Sequence, residues 1–248
     1  MNFVFLKKID KIMIKINYYR PKMSVELGNK LISTDIVLVV DDSGSMKEFR
    51  GATVSSINEF IQEQCALFPI ETESKTDCTI SLVIFSNPEE IRVTHKQINI
   101  HEFPKLDDTI LKTIGMTALY DAMNTGLMLL PENKDRLRIY LFITDGFDNR
   151  SKIRASKIRE TIEKRDSEYN KFIYIGACQD AILTAKNSFG IKADHAMSYD
   201  CHKTPQAYRA CANLVKRMAT GDDTHFTPED RLESTQRDWD IVSPSSIQ

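Results

Sequence analysis

From about Asp35 onward, short apolar runs rich in β-branched residues alternate with longer stretches in which apolar residues recur every three or four positions. The first run, residues 36–40, is apolar at every position, which is typical of a strand that is covered on both faces. Strands of this kind, separated by amphipathic helices, form a mostly parallel sheet with helices on both faces. The pattern therefore predicts a doubly wound α/β fold.

The predicted sheet has six strands, and one edge strand is antiparallel. Residues 79–85 form a strand, and Ser86-Asn87-Pro88 turns the chain into another strand, residues 91–94, after too few residues for a crossover helix. This pair is therefore antiparallel and lies at an edge of the sheet. The remaining strands are predicted at residues 138–144, 172–176 and 195–199. Helices are predicted at residues 49–67, 106–114, 118–130, 153–169, 181–188 and 205–218.

The two ends of the chain differ in composition from the alternating region, which we predict to form one domain over residues 31–220. Residues 1–30 form a basic extension, whose lysines and arginines are separated by short apolar groups, with no apolar stretch long enough for a signal peptide or a membrane span. A variable extension is favoured over an amphipathic segment lying on a membrane surface, and Met23 is a second candidate for the natural start. From residue 221 charged and hydroxyl residues predominate, which predicts a polar tail over residues 221–248.

Charge and cysteine content restrict the partners and the compartment. The formal net charge of -2 provides no overall positive field that would attract nucleic acid. The five cysteines are odd in number and widely spaced, and no secretory signal precedes them, which predicts reduced thiols and a cytoplasmic protein. The histidines are not paired in spacing with a serine or cysteine nucleophile, and Cys201-His202 with Cys211 and Cys178 fits no standard zinc pattern.

Oxygen-bearing side chains follow two of the predicted strands, at the edge of the sheet where ligands collect in α/β proteins. Asp41, Ser43 and Ser45 occupy alternate positions of a tight turn after the first strand, and Asp145 follows the strand 138–144. Thr117 lies between two predicted helices, and it returns to the same edge if the edge strand descends and the helix 106–114 ascends. The sequence therefore predicts that two carboxylates and three hydroxyls converge there.

This set of ligands, without histidine or thiolate, suits Mg²⁺, Mn²⁺ or Ca²⁺ and is poorly suited to zinc. Neutral hydroxyls donate little charge, so the ion would remain electrophilic and would keep positions that a carboxylate from another molecule could occupy. Taken singly, Asp41 and Asp145 could instead be caps at helix starts, which need no metal. The joint occurrence of all five residues favours the metal site.

The same residues resemble three motifs of the von Willebrand factor type A family. Residues 41–45 match the Asp-x-Ser-x-Ser element, residues 115–122 resemble the threonine loop, and residues 144–146 resemble the second aspartate turn, in the family's order. The resemblance covers roughly residues 35–218 and implies a metal-ion-dependent adhesion site (MIDAS) in a domain of the cytosolic type. It implies that Ser43, Ser45 and Thr117 bind the ion directly, that Asp41 and Asp145 act largely through water, and that an acidic residue of a partner protein completes the coordination.

The sequence also makes predictions for residues beside the proposed ligands. Asp42 adds a carboxylate that either raises cation affinity or faces solvent, and residues 147–149 are expected to form turn structure without binding the ion. Asp180, after the strand 172–176, is expected to cap a helix rather than to select a partner.

The sequence thus predicts a divalent-cation-dependent protein-binding module that is not an enzyme. The alternative is a hydrolase or phosphotransferase that uses the same ion as a Lewis acid. The chain offers no evident general base beyond the ligands and no glycine loop that would bind phosphate, which disfavours the alternative.

Overall fold

The computed structural model describes residues 31–70, 76–177, 179–222 and 224–235. Six strands form one sheet in the order β3-β2-β1-β4-β5-β6, with β3 antiparallel to β2 and every other neighbouring pair parallel. The strands are β1 Thr34–Asp41, β2 Cys78–Phe85, β3 Arg92–Asn99, β4 Leu137–Thr144, β5 Asn170–Ala177 and β6 Ala196–Tyr199. This topology confirms the predicted fold class, including the antiparallel edge strand.

Helices cover both faces of the sheet. They are α1 Arg50–Leu67, α2 Leu119–Met128, α3 Ala155–Arg165, α4 Ala181–Thr184, α5 Thr204–Thr220 and α6 Pro228–Thr235. Alternate residues of β1 point to opposite faces: Ile36 and Leu38 belong to the core beneath α1 and α5, whereas Val37 and Val39 pack with α2 and α3. The continuously apolar run in the sequence therefore reflects burial on both sides. No helix among the described residues has the length and apolar character needed to cross a membrane.

The predicted helix at residues 106–114 is wrong. The structure has only a 3₁₀ turn, Asp108–Ile110, and the chain continues without a helix to α2. Two backbone N–H groups of this segment are bound by one residue at the end of the sheet: Thr113 donates to the carboxylate of Asp42 at 2.6 Å, and Ile114 donates to its carbonyl at 3.1 Å. Tertiary hydrogen bonds thus replace those that a helix would have made.

The sequence predicted a polar tail from residue 221, whereas residues 228–235 form α6. This helix is attached mainly by polar contacts, which apolar periodicity does not detect. Arg231 donates to the carbonyl of Ala196 in β6 at 2.8 Å, and Arg217 of α5 forms an ion pair with Asp230 at 2.9 Å. Phe226, just before the helix, is buried. The predicted basic extension, residues 1–30, and the rest of the predicted tail lie outside the described residues.

Candidate metal centre

Asp41 is the last residue of β1 and is fully buried between two turns. The backbone N–H of Ser43 donates to its Oδ1 at 2.8 Å, and the hydroxyl of Thr144 donates to its Oδ2 at 2.5 Å. Thr144 ends β4, which is the strand beside β1. The Asp41 carboxylate therefore joins the loops that follow two neighbouring strands.

The hydroxyl groups of the first loop continue from Asp41 toward the second loop. Ser43 Oγ and Ser45 Oγ lie 3.0 Å apart, and Ser45 Oγ donates to Asp145 Oδ1 at 2.8 Å. Asp145 follows Thr144 directly. The four side chains of Asp41, Ser43, Ser45 and Asp145 thus form one connected group of oxygen atoms at the carboxyl ends of β1 and β4.

Thr117 lies beside this group, although the helix predicted to bring it there does not form. Its hydroxyl oxygen is 3.6 Å from the point where a Cβ on Gly146 would stand, so it faces the loop that contains Asp145. The segment that carries Thr117 also contacts the turn after β1, because the N–H of Gly44 donates to the carbonyl of Gly115 at 3.1 Å. The structure therefore places all five residues predicted from the sequence at one edge of the sheet.

The two carboxylates of the site lie in an environment that disfavours negative charge. Burial, together with the charge of Asp145, raises the pKa of Asp41 to about 6, although the hydrogen bonds from Thr144 and Ser43 act in the opposite direction. Burial also raises the pKa of Asp145. None of the ion pairs among the described residues involves either carboxylate. A divalent cation fits this arrangement, because oxygen ligands and uncompensated carboxylates are what Mg²⁺ and Ca²⁺ sites require.

The expectation that Asp42 faces solvent is wrong, and its carboxylate does not join the group of oxygen atoms. An effect of Asp42 on cation affinity stays a prediction. Asp42 is buried, and its Oδ2 forms an ion pair with Arg92 Nη2 of β3 at 2.9 Å. Its Oδ1 and its carbonyl bind the N–H groups of Thr113 and Ile114. Asp42 therefore fixes the segment that leads to Thr117.

Asn149 is a positioning residue that sequence analysis missed. Its Oδ1 accepts from the N–H of Thr117 at 2.9 Å, and its own N–H donates to the carbonyl of Thr117 at 3.0 Å. Asp121 of α2 similarly accepts from the N–H groups of Lys152 and Ile153, at 2.9 and 3.0 Å. The loop after β4 is thus bound to the start of α2 along several residues. The Asp148-Asn149 pair that follows Asp145 is the available sequence signal, and it predicts only turn structure.

Other candidates from the sequence have structural explanations. Asp180 caps α4, because its side chain accepts from the N–H of Leu183 at 2.9 Å. Asp200, Cys201 and His202 have potential ligand atoms within 4.8 Å of one another, but Cys211 is buried in α5 apart from that group. Cys65, Cys78 and Cys211 are free thiols. Cys178 lies outside the described residues.

No protein-family model matches this sequence, and no curated protein matches it. Solved structures do match. Proximal thread matrix protein 1 (PTMP1) from the mussel byssus aligns with a TM-score of 0.55 and 14% identity, over 75% of this chain and 47% of that one. A von Willebrand factor type A structure from Catenulispora acidiphila aligns with a TM-score of 0.54 and 13% identity, over 75% of this chain and 43% of that one. The chain has the von Willebrand factor type A fold.

Adhesive proteins are among the other structures with the type A fold. The pilus adhesin SpaC from Lactobacillus rhamnosus GG, in its open conformation, aligns with a TM-score of 0.59 and 13% identity, over 77% of this chain and 31% of that one. A further PTMP1 structure, with a TM-score of 0.56 and 14% identity, has a MIDAS motif occupied by zinc. The present chain spans less than half the length of the PTMP1 and SpaC chains. At these identities the similarity establishes the fold.

Proposed function

We propose that this chain is a protein-binding module in which a divalent cation, held by Asp41, Ser43, Ser45, Thr117 and Asp145, binds a carboxylate of a partner protein. The observation that supports it best is the continuous contact from buried Asp41 through Ser43 and Ser45 to Asp145, with no basic side chain paired to either carboxylate among the described residues. Such a group is electrostatically unfavourable by itself and favourable around a cation.

Each residue has a distinct role in this proposal. The resemblance to type A domains implies that the hydroxyl oxygens of Ser43, Ser45 and Thr117 are the direct ligands, and these hydroxyls lie beside the two carboxylates. Asp41 and Asp145 orient the serine ligands by hydrogen bonds to the Ser43 backbone and to Ser45 Oγ. The bound ion supplies a positive charge with coordination positions left for an external carboxylate.

The burial of the ligands indicates the direction from which a partner would approach. Asp41, Ser43 and Thr117 are buried, Asp145 is partly buried, and Ser45 is exposed. The site is therefore closed toward the sheet and accessible beside Ser45. A carboxylate on a protruding segment of a partner can reach this side without any movement of the sheet.

The ion is Mg²⁺, Mn²⁺ or Ca²⁺ on the chemistry of the ligands. Zinc belongs in any test as well, since it occupies the MIDAS motif of PTMP1. The description of SpaC as an adhesin supports a protein-binding role for a chain of this fold. A cytoplasmic location remains a prediction from the sequence. No observation among the described residues favours the alternative of a metal-dependent hydrolase or phosphotransferase.

Affinity capture with matched variants tests the proposal. Wild-type protein, Asp145→Ala and Asp180→Ala are immobilised, and the proteins retained from a lysate are quantified in Mg²⁺ and in EDTA. Asp180 is an acidic cap outside the group of oxygen atoms, so its variant controls for the loss of one carboxylate. We expect a set of proteins retained only in Mg²⁺, by wild type and Asp180→Ala. Retention by Asp145→Ala equal to that by wild type in Mg²⁺, or retention by wild type that EDTA does not reduce, would contradict the proposal.

A further inference from the structure

Large apolar side chains are exposed on the two loops that adjoin the candidate metal centre. Met116, which precedes Thr117, is 47% exposed, and Phe147, which follows Gly146, is 63% exposed. Ile114, on the same loop as Met116, is 51% exposed. Single exposed apolar residues are ordinary on protein surfaces, but these three all lie within three positions of Thr117 or Asp145. They are therefore candidates for contact with whatever binds the ion.

The two loops are held against each other, so these side chains belong to one surface. Two hydrogen bonds join Thr117 and Asn149: the N–H of Thr117 donates to Asn149 Oδ1 at 2.9 Å, and the N–H of Asn149 donates to the Thr117 carbonyl at 3.0 Å. The Thr117 hydroxyl faces Gly146. The N–H of Met116 donates to Asn87 Oδ1 at 3.0 Å, which fixes the backbone beside Thr117 from the other side. Met116 and Phe147 are thus presented from rigid backbone on either side of the Thr117–Gly146 contact.

Exposed basic side chains lie near the apolar residues on both loops, whereas Asp148, next to Phe147, is half-buried and accepts hydrogen bonds from the N–H of Tyr120 and from the Ser151 hydroxyl. Lys112 precedes Ile114 by two positions, and Arg150 follows Asn149; both side chains are exposed. Their charges favour a partner segment that is acidic overall, in agreement with the carboxylate that the ion would bind. We call the surface formed by Ile114, Met116 and Phe147 the apolar rim.

We propose that the partner presents an aspartate or glutamate flanked on both sides by large aliphatic or aromatic residues, which pack on the apolar rim while the carboxylate binds the ion. This inference rests on the proposed function and adds the chemistry of the recognised segment. Burial of one such apolar side chain contributes about tenfold to a binding constant, whereas the ion alone would bind any exposed carboxylate. The rim therefore provides the selectivity that a bare ion lacks.

Four labelled peptides separate the contributions of the carboxylate and of its neighbours. Each has a Gly-Ser background and one of the central triplets Leu-Glu-Phe, Ser-Glu-Ser, Leu-Gln-Phe or Ser-Gln-Ser, and binding is measured by fluorescence anisotropy in Mg²⁺ and in EDTA. We expect Leu-Glu-Phe to bind about tenfold or more tightly than Ser-Glu-Ser in Mg²⁺. The glutamine peptides should bind weakly under both conditions.

Variants of the apolar rim, with a methionine elsewhere as control, test whether the rim causes the preference for Leu-Glu-Phe. In the double variant Met116→Gln with Phe147→Gln, the preference for Leu-Glu-Phe should fall to about twofold or less, because one fully lost contact is worth about tenfold. Met128→Gln makes the same change at a methionine that is 53% exposed, at the far end of α2 from the metal centre, and should keep the full preference. Equal thermal stabilisation of all variants by Mg²⁺ verifies that the ion site is unaffected.

The outcomes distinguish the inference from the function on which it rests. Equal affinity for Leu-Glu-Phe and Ser-Glu-Ser, or a preference that persists in the double variant, overturns the apolar rim and leaves the cation-dependent module intact. Glutamate peptides that fail to bind in Mg²⁺ overturn both. A second copy of this chain could also cover the apolar rim, and sedimentation of the wild type in Mg²⁺ tests this. A dimer that dissociates in the double variant would show that the rim binds another copy, and would also overturn the inference.

Discussion

Ser45 Oγ donates a hydrogen bond of 2.8 Å to Asp145 Oδ1, which lies 100 positions later in the sequence. The contact arises because β1 and β4 are adjacent parallel strands, so the loops after their last residues, Asp41 and Thr144, leave the sheet side by side. Any change that weakens one loop should therefore alter the other. The predictions below use this coupling and the unfavourable charge that it brings together.

Replacement of Asp41 by asparagine should stabilise the ion-free protein and abolish its stabilisation by Mg²⁺. The pKa of Asp41 is raised to about 6 by burial, so its ionised form costs the folded state about 1 to 3 kcal/mol at neutral pH. Asparagine keeps both hydrogen bonds: its oxygen accepts from Ser43, and its amide donates to Thr144 Oγ1, whose hydrogen can turn to the Gly146 carbonyl at 3.0 Å.

Urea unfolding of wild type and Asp41→Asn, each in EDTA and in Mg²⁺, measures both effects. The expected result is a higher free energy of unfolding for Asp41→Asn in EDTA and no further gain in Mg²⁺. Asp180→Asn, which alters a cap outside the site, should leave the Mg²⁺ increment of the wild type unchanged. A variant that is less stable than wild type in EDTA, or that still gains from Mg²⁺, would show that Asp41 is not the uncompensated charge.

The pH dependence of stability should change sign when the ion is added. The pKa of Asp41 in the folded protein, about 6, lies above its ordinary value of 3.8, so its contribution to stability is full below pH 4 and is lost as the pH rises through 6. In Mg²⁺ the ion competes with the proton, so stability should instead rise over the same interval. The difference in unfolding free energy between wild type and Asp41→Asn isolates this group from the other titrating residues. A difference independent of pH between 4 and 7 would contradict the assignment.

Asn149→Ala should weaken cation binding although Asn149 is not a proposed ligand. The side chain positions Thr117 by accepting from its N–H at 2.9 Å, and loss of such supporting contacts typically reduces metal affinity by about 10 to 100-fold. Asn149→Asp retains an acceptor at the same position and should restore most of the affinity. Calorimetric titration with Mn²⁺ measures both variants. If alanine and aspartate reduce the affinity equally, the hydrogen bond to Thr117 is not the cause.

Much of the fold and all five candidate ligands could be predicted because the determining signals are local. The apolar run at residues 36–40 specifies a strand buried on both faces, and Asp41, Ser43 and Ser45 follow it directly. The position of Thr117 was predicted correctly with a wrong intermediate, the helix 106–114. Apolar spacing favoured that helix, whereas the buried Asp42 carboxylate binds the segment in a non-helical form, with Thr113 at a φ of 51°. Long-range hydrogen bonds of this kind leave no periodic pattern in the sequence.

The helix α6 was missed for a related reason, and its attachment can be tested. Asp230 Oδ2 accepts from Arg217 at 2.9 Å and from the N–H of Thr227 at 2.9 Å, so one carboxylate both caps the helix and binds it to α5. Asp230→Ala should therefore destabilise the helix by about 1 to 2 kcal/mol, the sum of a lost cap and a lost, largely buried ion pair. Hydrogen exchange should accelerate in residues 226–235 and in β6, which α6 contacts through Arg231. Because α6 contributes none of the proposed ligands, affinity for Mg²⁺ should be unchanged.

Glu229→Ala removes an exposed acidic residue from the first turn of the same helix and should leave exchange in β6 at the wild-type rate. Acceleration throughout the sheet in Asp230→Ala would instead mean that α6 is needed for the stability of the whole domain, and that a sequence with little apolar periodicity contributes to its core.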